Sequence, residues 1–117
     1  MKRFISNMDR RYVTGKESIV SIHLCMVKHE NLVRVLPSFY NYDPKRNKCE
    51  FLDFCINKQE EYEIISSQYT IEATENAEIS AIPKMYRSVF YSALDAMVSY
   101  NGLKNALRSR GSCIANL

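Results

Sequence analysis

A chain of 117 residues fits one domain, and a composition of 46% hydrophobic and 25% charged residues with three glycines and three prolines excludes a disordered or fibrous protein. No window approaches the roughly 18 uninterrupted apolar residues of a membrane-spanning helix, and the basic N-terminus lacks the apolar stretch of a secretory signal. We therefore expect one folded domain over residues 1–117, located in the cytoplasm and not in a membrane, with residues 1–9 and 111–117 frayed.

The net charge of +3 hides an uneven distribution along the chain. Residues 1–49 carry 10 basic and 4 acidic side chains, residues 50–78 carry 1 and 8, and residues 79–117 carry 5 and 1, so the three segments have net charges of +6, −7 and +4. This pattern predicts separate positive and negative surface regions, which can orient a charged partner. The alternative is that the basic ends and the acidic middle pair with each other across the fold.

The four cysteines, Cys25, Cys49, Cys55 and Cys113, are even in number, which allows disulfides. Cys49 and Cys55, however, are placed in one predicted strand, where they would stand roughly 20 Å apart and could not bridge each other. Without a secretory signal, the prediction is four free thiols in a reducing compartment.

The N-terminal third of the chain has the pattern of extended segments. Residues 10–18, with a turn at Gly15, are predicted to be a short first edge strand. Residues 19–27 alternate more clearly and are predicted to be a second strand. Its core face would carry Val20, Ile22, Leu24 and Met26. His23 would then lie on the solvated face.

Three further strands are predicted in the middle of the chain. Residues 32–42 form one that Pro37 interrupts, because a proline cannot donate a hydrogen bond to a ladder. A turn over residues 41–48, started by Asp-Pro, leads into a central strand over residues 49–56. Residues 63–73 alternate and form another half-buried strand.

The C-terminal region contains the long helix. From residue 83 to residue 100, apolar side chains recur every three or four positions, which is typical of an amphipathic helix with one buried face. Its stripe comprises Met85, Val89, Ala93, Ala96, Met97 and Tyr100. Ser80 and Pro83 would begin the helix and Gly102 would end it, with a second short helix or a continuation over residues 103–110. The predicted fold class is α+β, an antiparallel meander sheet of about four to five strands with this helix packed on one face.

No pattern assembles a catalytic or cofactor site. Three isolated glycines cannot build a phosphate-binding loop, and the spacing of Cys49 and Cys55 does not suit one metal ion. A catalytic thiol–imidazole pair could be formed by His23 with Cys25 or Cys49, but buried thiols and a solvated histidine are commoner. Carboxylate pairs such as Asp53 with Glu50 could act in acid–base chemistry, but acidic residues of this kind usually form a solvated face. We therefore predict a protein that is not an enzyme and carries no metal or cofactor.

The strongest functional pattern is a run of basic residues interleaved with tyrosines on the third predicted strand and its turn. It comprises Arg34, Tyr40, Tyr42, Lys45, Arg46 and Lys48. Tyrosine and arginine are enriched at protein interfaces, so the leading hypothesis is a small interaction module that binds a protein through this hairpin and a sheet edge. The alternative hypothesis is binding of RNA or single-stranded DNA through the same residues, since cations follow phosphates and rings stack on bases.

Overall fold

The computed structural model of the chain describes residues 16–43, 45–70, 72–73, 79–80, 83–110 and 113–116. The helices in these residues are α1 (Lys16–His29) and α2 (Ala93–Ser109). The strands are β1 (Val33–Arg34), β2 (Phe39–Asp43), β3 (Lys48–Ile56), β4 (Tyr62–Thr70), β5 (Glu72–Ala73), β6 (Ile79–Ser80), β7 (Lys84–Phe90) and β8 (Cys113–Asn116).

The main sheet is antiparallel and contains five strands in the order β7-β4-β3-β2-β8, with the two-residue β1 also paired to β3. β5 and β6 pair separately. The predicted α+β class, with an antiparallel sheet and a C-terminal helix packed on it, is confirmed. The hairpins β2-β3 and β3-β4 and the strands that form them lie close to their predicted positions.

β3 is the central strand, and both of its faces are covered. One face packs on α1 through a core cluster made of Ile19, Ile22, Tyr40, Cys49, Phe51 and Tyr69. The opposite face packs on α2 through a second cluster made of Phe39, Leu52, Phe54, Ile64, Ala96, Tyr100 and Leu107. The sheet therefore lies between two helices, of which only the C-terminal one is predicted from the sequence.

The prediction of a strand over residues 19–27 is wrong, because these residues lie within α1. Ile19, Ile22 and His23 are buried at helical spacing of three and four residues. Apolar residues are so dense here that they fit both a period of two and a period of 3.6, and periodicity alone does not separate the two structures. As a result, His23 faces the core and not the solvent.

The helix predicted over residues 83–100 is also wrong in its first part. Lys84–Phe90 form strand β7, which pairs with β4 along its whole length. The helix begins only after Ser92, whose Oγ accepts a hydrogen bond from the backbone N–H of Asp95 at 3.4 Å and so caps α2. It then continues through Gly102, where the predicted stop does not occur.

The buried face of α2 only partly matches the predicted stripe. Ala96 and Tyr100 are buried as expected, but Val89 and Met97 are exposed. The spacing of three and four residues spans the junction between β7 and α2, so it joins side chains that do not share one helix face. Leu107, beyond the predicted end, completes the buried face.

The interruption predicted at Pro37 is present and has a structural consequence. Arg34 pairs with Cys55, and Phe39 pairs with Leu52, so residues 35–38 lie opposite only Asp53 and Phe54. This local excess of residues is a bulge in the strand, and it ends at the fully buried Ser38.

Of the two terminal segments, only the C-terminal one has described residues in the sheet. The predicted edge strand over residues 10–18 lies outside the described residues, except for residues 16–18 at the start of α1. The tail predicted to fray from residue 111 contains β8, in which Cys113–Asn116 pair with β2 in antiparallel register.

Candidate interaction surfaces

The structure places the predicted binding residues on three different parts of the molecule. Arg34 is exposed at the end of β1. Tyr40 is only 5% exposed, and its ring lies against Phe51 with 5.6 Å between centroids. Tyr42 is partly buried and packs on the same cluster beneath α1. The tyrosines of the hairpin therefore contribute to the core, and Tyr40 has almost no surface left for a partner.

The basic residues of the same hairpin remain accessible. Lys45 and Arg46 are exposed in the turn between β2 and β3, and Lys48 is partly buried at the start of β3. The carboxylate of Asp43 accepts a hydrogen bond from the backbone N–H of Lys45 at 3.1 Å, and Asn47 adopts a positive φ of 51°. The turn thus keeps Lys45 and Arg46 accessible to solvent.

Beside this turn is an open cleft of about 410 Å³, which we call the polar cleft. It is lined by the side chains of Asn41, Asp43, Arg46, Lys48, Glu50, Gln68 and Arg110. Arg46 Nε lies 3.6 Å from Asp43 Oδ2, and Arg110 forms an ion pair with Glu50. The cleft joins the basic turn to the C-terminal end of α2, two regions that are far apart in the sequence.

An exposed apolar surface lies on the edge strand β7 and on the adjoining helix α2. Tyr86 is 73% exposed on β7, Tyr91 is 85% exposed after the strand, and Leu94 and Val98 are 73% and 65% exposed on α2. Leu94 and Val98 are one turn apart on the same helix face, and Tyr91 precedes Leu94 by three residues. We call these four residues the β7/α2 surface.

β7 is also an edge strand. Among the described strands it pairs only with β4, and its seven residues are mostly exposed. Such an edge presents backbone N–H and C=O groups to an incoming strand. The β7/α2 surface therefore combines exposed rings and aliphatic side chains with a strand edge.

A buried polar network lies between α1 and the sheet. His23 Nε2 is 2.6 Å from Asp53 Oδ2, His23 Nδ1 is 2.7 Å from the Tyr69 hydroxyl, and the Ser38 hydroxyl donates to Asp53 Oδ1. The imidazole also stacks on Phe51 with 3.9 Å between ring centroids. His23, Asp53 and Ser38 are fully buried, so the network fixes α1 to β3, to β4 and to the residue before β2.

Two proton arrangements satisfy this network. With a neutral imidazole, Nε2–H donates to Asp53 and the Tyr69 hydroxyl donates to Nδ1. With a protonated imidazole, both ring nitrogens donate, and the Tyr69 hydroxyl turns to the sulfur of Met26, which lies 3.3 Å away. The Ser38 hydroxyl contacts the carboxylate and not the imidazole, so these groups do not form the nucleophile–base pair of a serine hydrolase.

Burial also suppresses the ionisation of two neighbouring groups. Burial, with added repulsion from Asp53 and Glu63, raises the pKa of Cys55 from 9.0 to about 12, so this thiol is protonated and unreactive at neutral pH. Burial and the charge of Asp53 also raise the pKa of Tyr69, which remains a phenol. The face of the sheet beneath α1 is therefore a structural region, shielded from solvent.

A second polar group connects α1 to the edge strand. Arg87 on β7 contacts Glu63 at 2.9 Å and forms a further ion pair with Glu30, just after α1. Burial opposes the charge on Arg87, but the hydrogen bonds to Glu63 and Glu30 outweigh it and raise the pKa of the guanidinium. Asn57 also donates to Glu63 at 2.7 Å, so this buried carboxylate has two partners.

Within the described residues, no group of three histidine, cysteine or acidic side chains is arranged to hold a metal ion. The helices in that part of the chain are too short or too polar to cross a membrane. No protein-family model, curated protein or solved structure matches this chain.

Sequence reasoning missed both the buried network and the β7/α2 surface. His23 and Asp53 are 30 positions apart, and only the fold brings them together. The β7/α2 surface is missed because residues 83–100 are predicted to form one continuous helix, whereas they form a strand followed by a helix. The Ser-x-x-Asp pattern from Ser92 to Asp95 is the local signal that marks the true helix start.

Proposed function

We propose that this protein is an interaction module that binds a protein partner through the β7/α2 surface. The observation that carries the proposal is the exposure of four large apolar side chains, each at least 65% accessible, on one strand edge and the adjoining helix. Large exposed apolar groups are costly in water, and contiguous patches of them mark sites of protein association. Tyrosine is also among the residues that supply most binding energy at interfaces.

The charge of this surface favours a protein over a nucleic acid. The basic side chain of β7 nearest its centre, Arg87, is already paired with Glu63 and Glu30. Binding of RNA or single-stranded DNA requires cations beside accessible rings. In the hairpin the cations are exposed but Tyr40 is buried. Exposed cations and exposed tyrosine rings therefore lie on different surfaces of the molecule.

The geometry of β7 also supports a particular kind of partner. An extended segment can add to a free strand edge through main-chain hydrogen bonds, while its alternate side chains contact the neighbouring surface. Here those side chains would meet Tyr86 on the strand. We therefore propose that the partner contributes an extended, largely apolar segment.

A cytoplasmic site of action belongs to the same proposal. It is supported by Cys25, Cys49 and Cys55, which are free thiols in the structure. Two of them are buried in strand β3, as expected for small apolar side chains in a reducing compartment.

The test compares three forms of the immobilised protein in capture experiments with extract from its native cells. They are the wild type, the double variant Leu94→Ser with Val98→Ser, and the control Val33→Ser with Val35→Ser. Val33 and Val35 are also exposed valines, but they lie at the end of β1. A captured protein is then purified, and its affinity for each form is measured.

The proposal predicts that the α2 variant weakens the purified complex by about tenfold or more, whereas the β1 control leaves it unchanged. Loss of a large apolar contact should appear mainly as faster dissociation. The proposal is wrong if the purified partner binds the α2 variant as tightly as the wild type. It is also wrong if charge reversal at Lys45 and Arg46 abolishes capture and the α2 variant does not.

A further inference from the structure

We infer that the polar cleft is a binding site for a phosphate monoester, independent of the β7/α2 surface. The cleft lies on the face of the sheet that α2 covers, beyond the C-terminal end of this helix, and has a volume of about 410 Å³. This volume falls within the range of small-ligand sites, roughly 300–1,000 Å³. Its lining is polar, which suits a charged ligand and not an apolar one.

Three cationic side chains reach the cleft, two from the β2-β3 hairpin and one from the end of α2. Arg46 comes from the turn after β2, Lys48 from the first residue of β3, and Arg110 from the residue after α2. Arg46 and Arg110 keep 75% and 58% of their side chains exposed, so their remaining N–H groups are open to a ligand. The convergence of Arg110 with the cations of the hairpin distinguishes this place from an ordinary run of surface lysines.

The two acidic side chains of the cleft have a positioning role. Asp43 lies beside Arg46, and Glu50 beside Arg110, so each guanidinium is held toward the cleft by one carboxylate. A guanidinium has five N–H donors, and one carboxylate occupies at most two of them. Lys48 adds three further donors at the base of the turn.

Asp43 and Glu50 repel any anion, so a ligand that binds in the cleft has to contact all three cations at once. A ligand carboxylate, with one negative charge, would compete poorly with Asp43 and Glu50, which are already tethered in place. A phosphate monoester carries a charge of about −1.5 to −2 at neutral pH and three acceptor oxygens. It can therefore take one contact from each cation, and Gln68 supplies a neutral amide on the β4 side.

The test is a calorimetric and NMR titration of the wild-type protein with three probes: inorganic phosphate, O-phosphoserine and serine. The same titrations are repeated with the double variant Lys48→Gln with Arg110→Gln. The matched control is Lys58→Gln, because Lys58 is an exposed lysine in the turn at the opposite end of β3. The β7/α2 variant Leu94→Ser with Val98→Ser is included to separate the two sites.

We expect saturable binding of O-phosphoserine, with amide shifts at the turn and the end of α2, and no binding of serine. The double variant should weaken this binding by about tenfold or more, since each charge-assisted hydrogen bond is strong. Lys58→Gln and the β7/α2 variant should bind as the wild type does. Equal binding of inorganic phosphate would show that the phosphate alone is recognised, and tighter binding of O-phosphoserine would show that the cleft also contacts the ester group.

Several outcomes would overturn the inference. They are the absence of saturable phosphate binding, unchanged affinity in the double variant, and equal weakening by Lys58→Gln. None of them bears on the β7/α2 surface, since no partner protein is present in the titration. Failure of the proposed function would likewise leave the phosphate titrations unchanged.

Discussion

The two helices cover opposite faces of the same sheet, but they do so in different ways. α1 is attached through a buried polar network centred on His23 and Asp53, and none of its described apolar side chains is strongly exposed. α2 is attached through apolar contacts of Ala96, Tyr100 and Leu107, and its outer face exposes Leu94 and Val98.

This difference separates the side of the molecule that holds the fold together from the side that carries the proposed binding surface. A buried polar network requires well-placed partners, and it holds α1 in one position on the sheet. The apolar outer face of α2 does not contribute to the fold and is available for a partner. We therefore expect large stability effects beneath α1 and small ones on the outside of α2.

The largest effect is expected for Asp53→Ala. This change removes the acceptor of both His23 and Ser38 inside the core, and breaking a buried pair in this way costs about 3–5 kcal/mol. The free energy of unfolding, measured with urea, should fall by that amount. Glu50→Ala is the control, because it removes another acidic residue of β3 whose ion pair with Arg110 is at the surface.

For Glu50→Ala we expect a loss of about 1 kcal/mol or less, since exposed ion pairs contribute little. Similar losses for the two variants would contradict the assignment of the network as the structural centre of the α1 side.

The second prediction compares two leucines on α2. Leu107 is 6% exposed and Leu94 is 73% exposed. Leu107→Ala should cost about 2–5 kcal/mol, because it opens a cavity in the core. Leu94→Ala should change the free energy of unfolding by about 0.5 kcal/mol or less. A larger loss for Leu94→Ala than for Leu107→Ala would mean that α2 turns the other face toward the sheet.

The third prediction concerns alkaline pH and the side beneath α1. The pKa of Cys55 rises from 9.0 to about 12 on folding. At a pH between these two values, the thiol has lost its proton in the unfolded state and keeps it in the folded state. The unfolded state then binds fewer protons, and stability falls as pH rises, by on the order of 1 kcal/mol per pH unit for this group. Tyr69 and Tyr100, whose pKa values are also raised by burial, add to the fall at higher pH.

Urea midpoints measured from pH 8 to pH 11 should therefore decrease. The decrease should be less steep in Cys55→Ala, because this variant lacks the titrating thiol. The cavity left by the substitution lowers stability equally at every pH and does not change the slope. A flat profile in the wild type would contradict the burial of these groups.

The smallest effect is a gain in stability on α2. A side chain added at Gly102 would meet no atom within 4 Å, and the residue lies inside the helix. Gly102→Ala should raise the free energy of unfolding by about 0.5–1 kcal/mol, because alanine has the higher helix propensity. A loss of stability would indicate that the helix ends at Gly102, as the sequence predicts.

The parts of the fold that are predictable from the sequence are those with a strong local pattern. β3 and β4 alternate clearly between two faces, and Pro37 marks the break between β1 and β2. α1 is not predictable in this way, because residues 19–27 fit a strand and a helix equally well. Tertiary contacts decide between the two, above all the burial of His23 against Asp53 and Phe51.

The candidate sites are predictable only in part. The basic turn at Lys45 and Arg46 follows from the Asp-Pro sequence, and its cations are exposed as a turn requires. That Arg110 joins them in one cleft depends on where α2 ends relative to the sheet. The exposure of Tyr86 and Leu94 depends in the same way on the division of one apolar run into a strand and a helix.

The central claim, that the β7/α2 surface binds a protein, can be tested directly by photo-crosslinking in the native cells. The photoreactive amino acid p-benzoylphenylalanine replaces Tyr91 or Val98 on this surface, or His29 at the end of α1, one position at a time. We expect a discrete crosslinked protein from Tyr91 and Val98 and none from His29. A discrete adduct from His29, with none from Tyr91 or Val98, would contradict the claim.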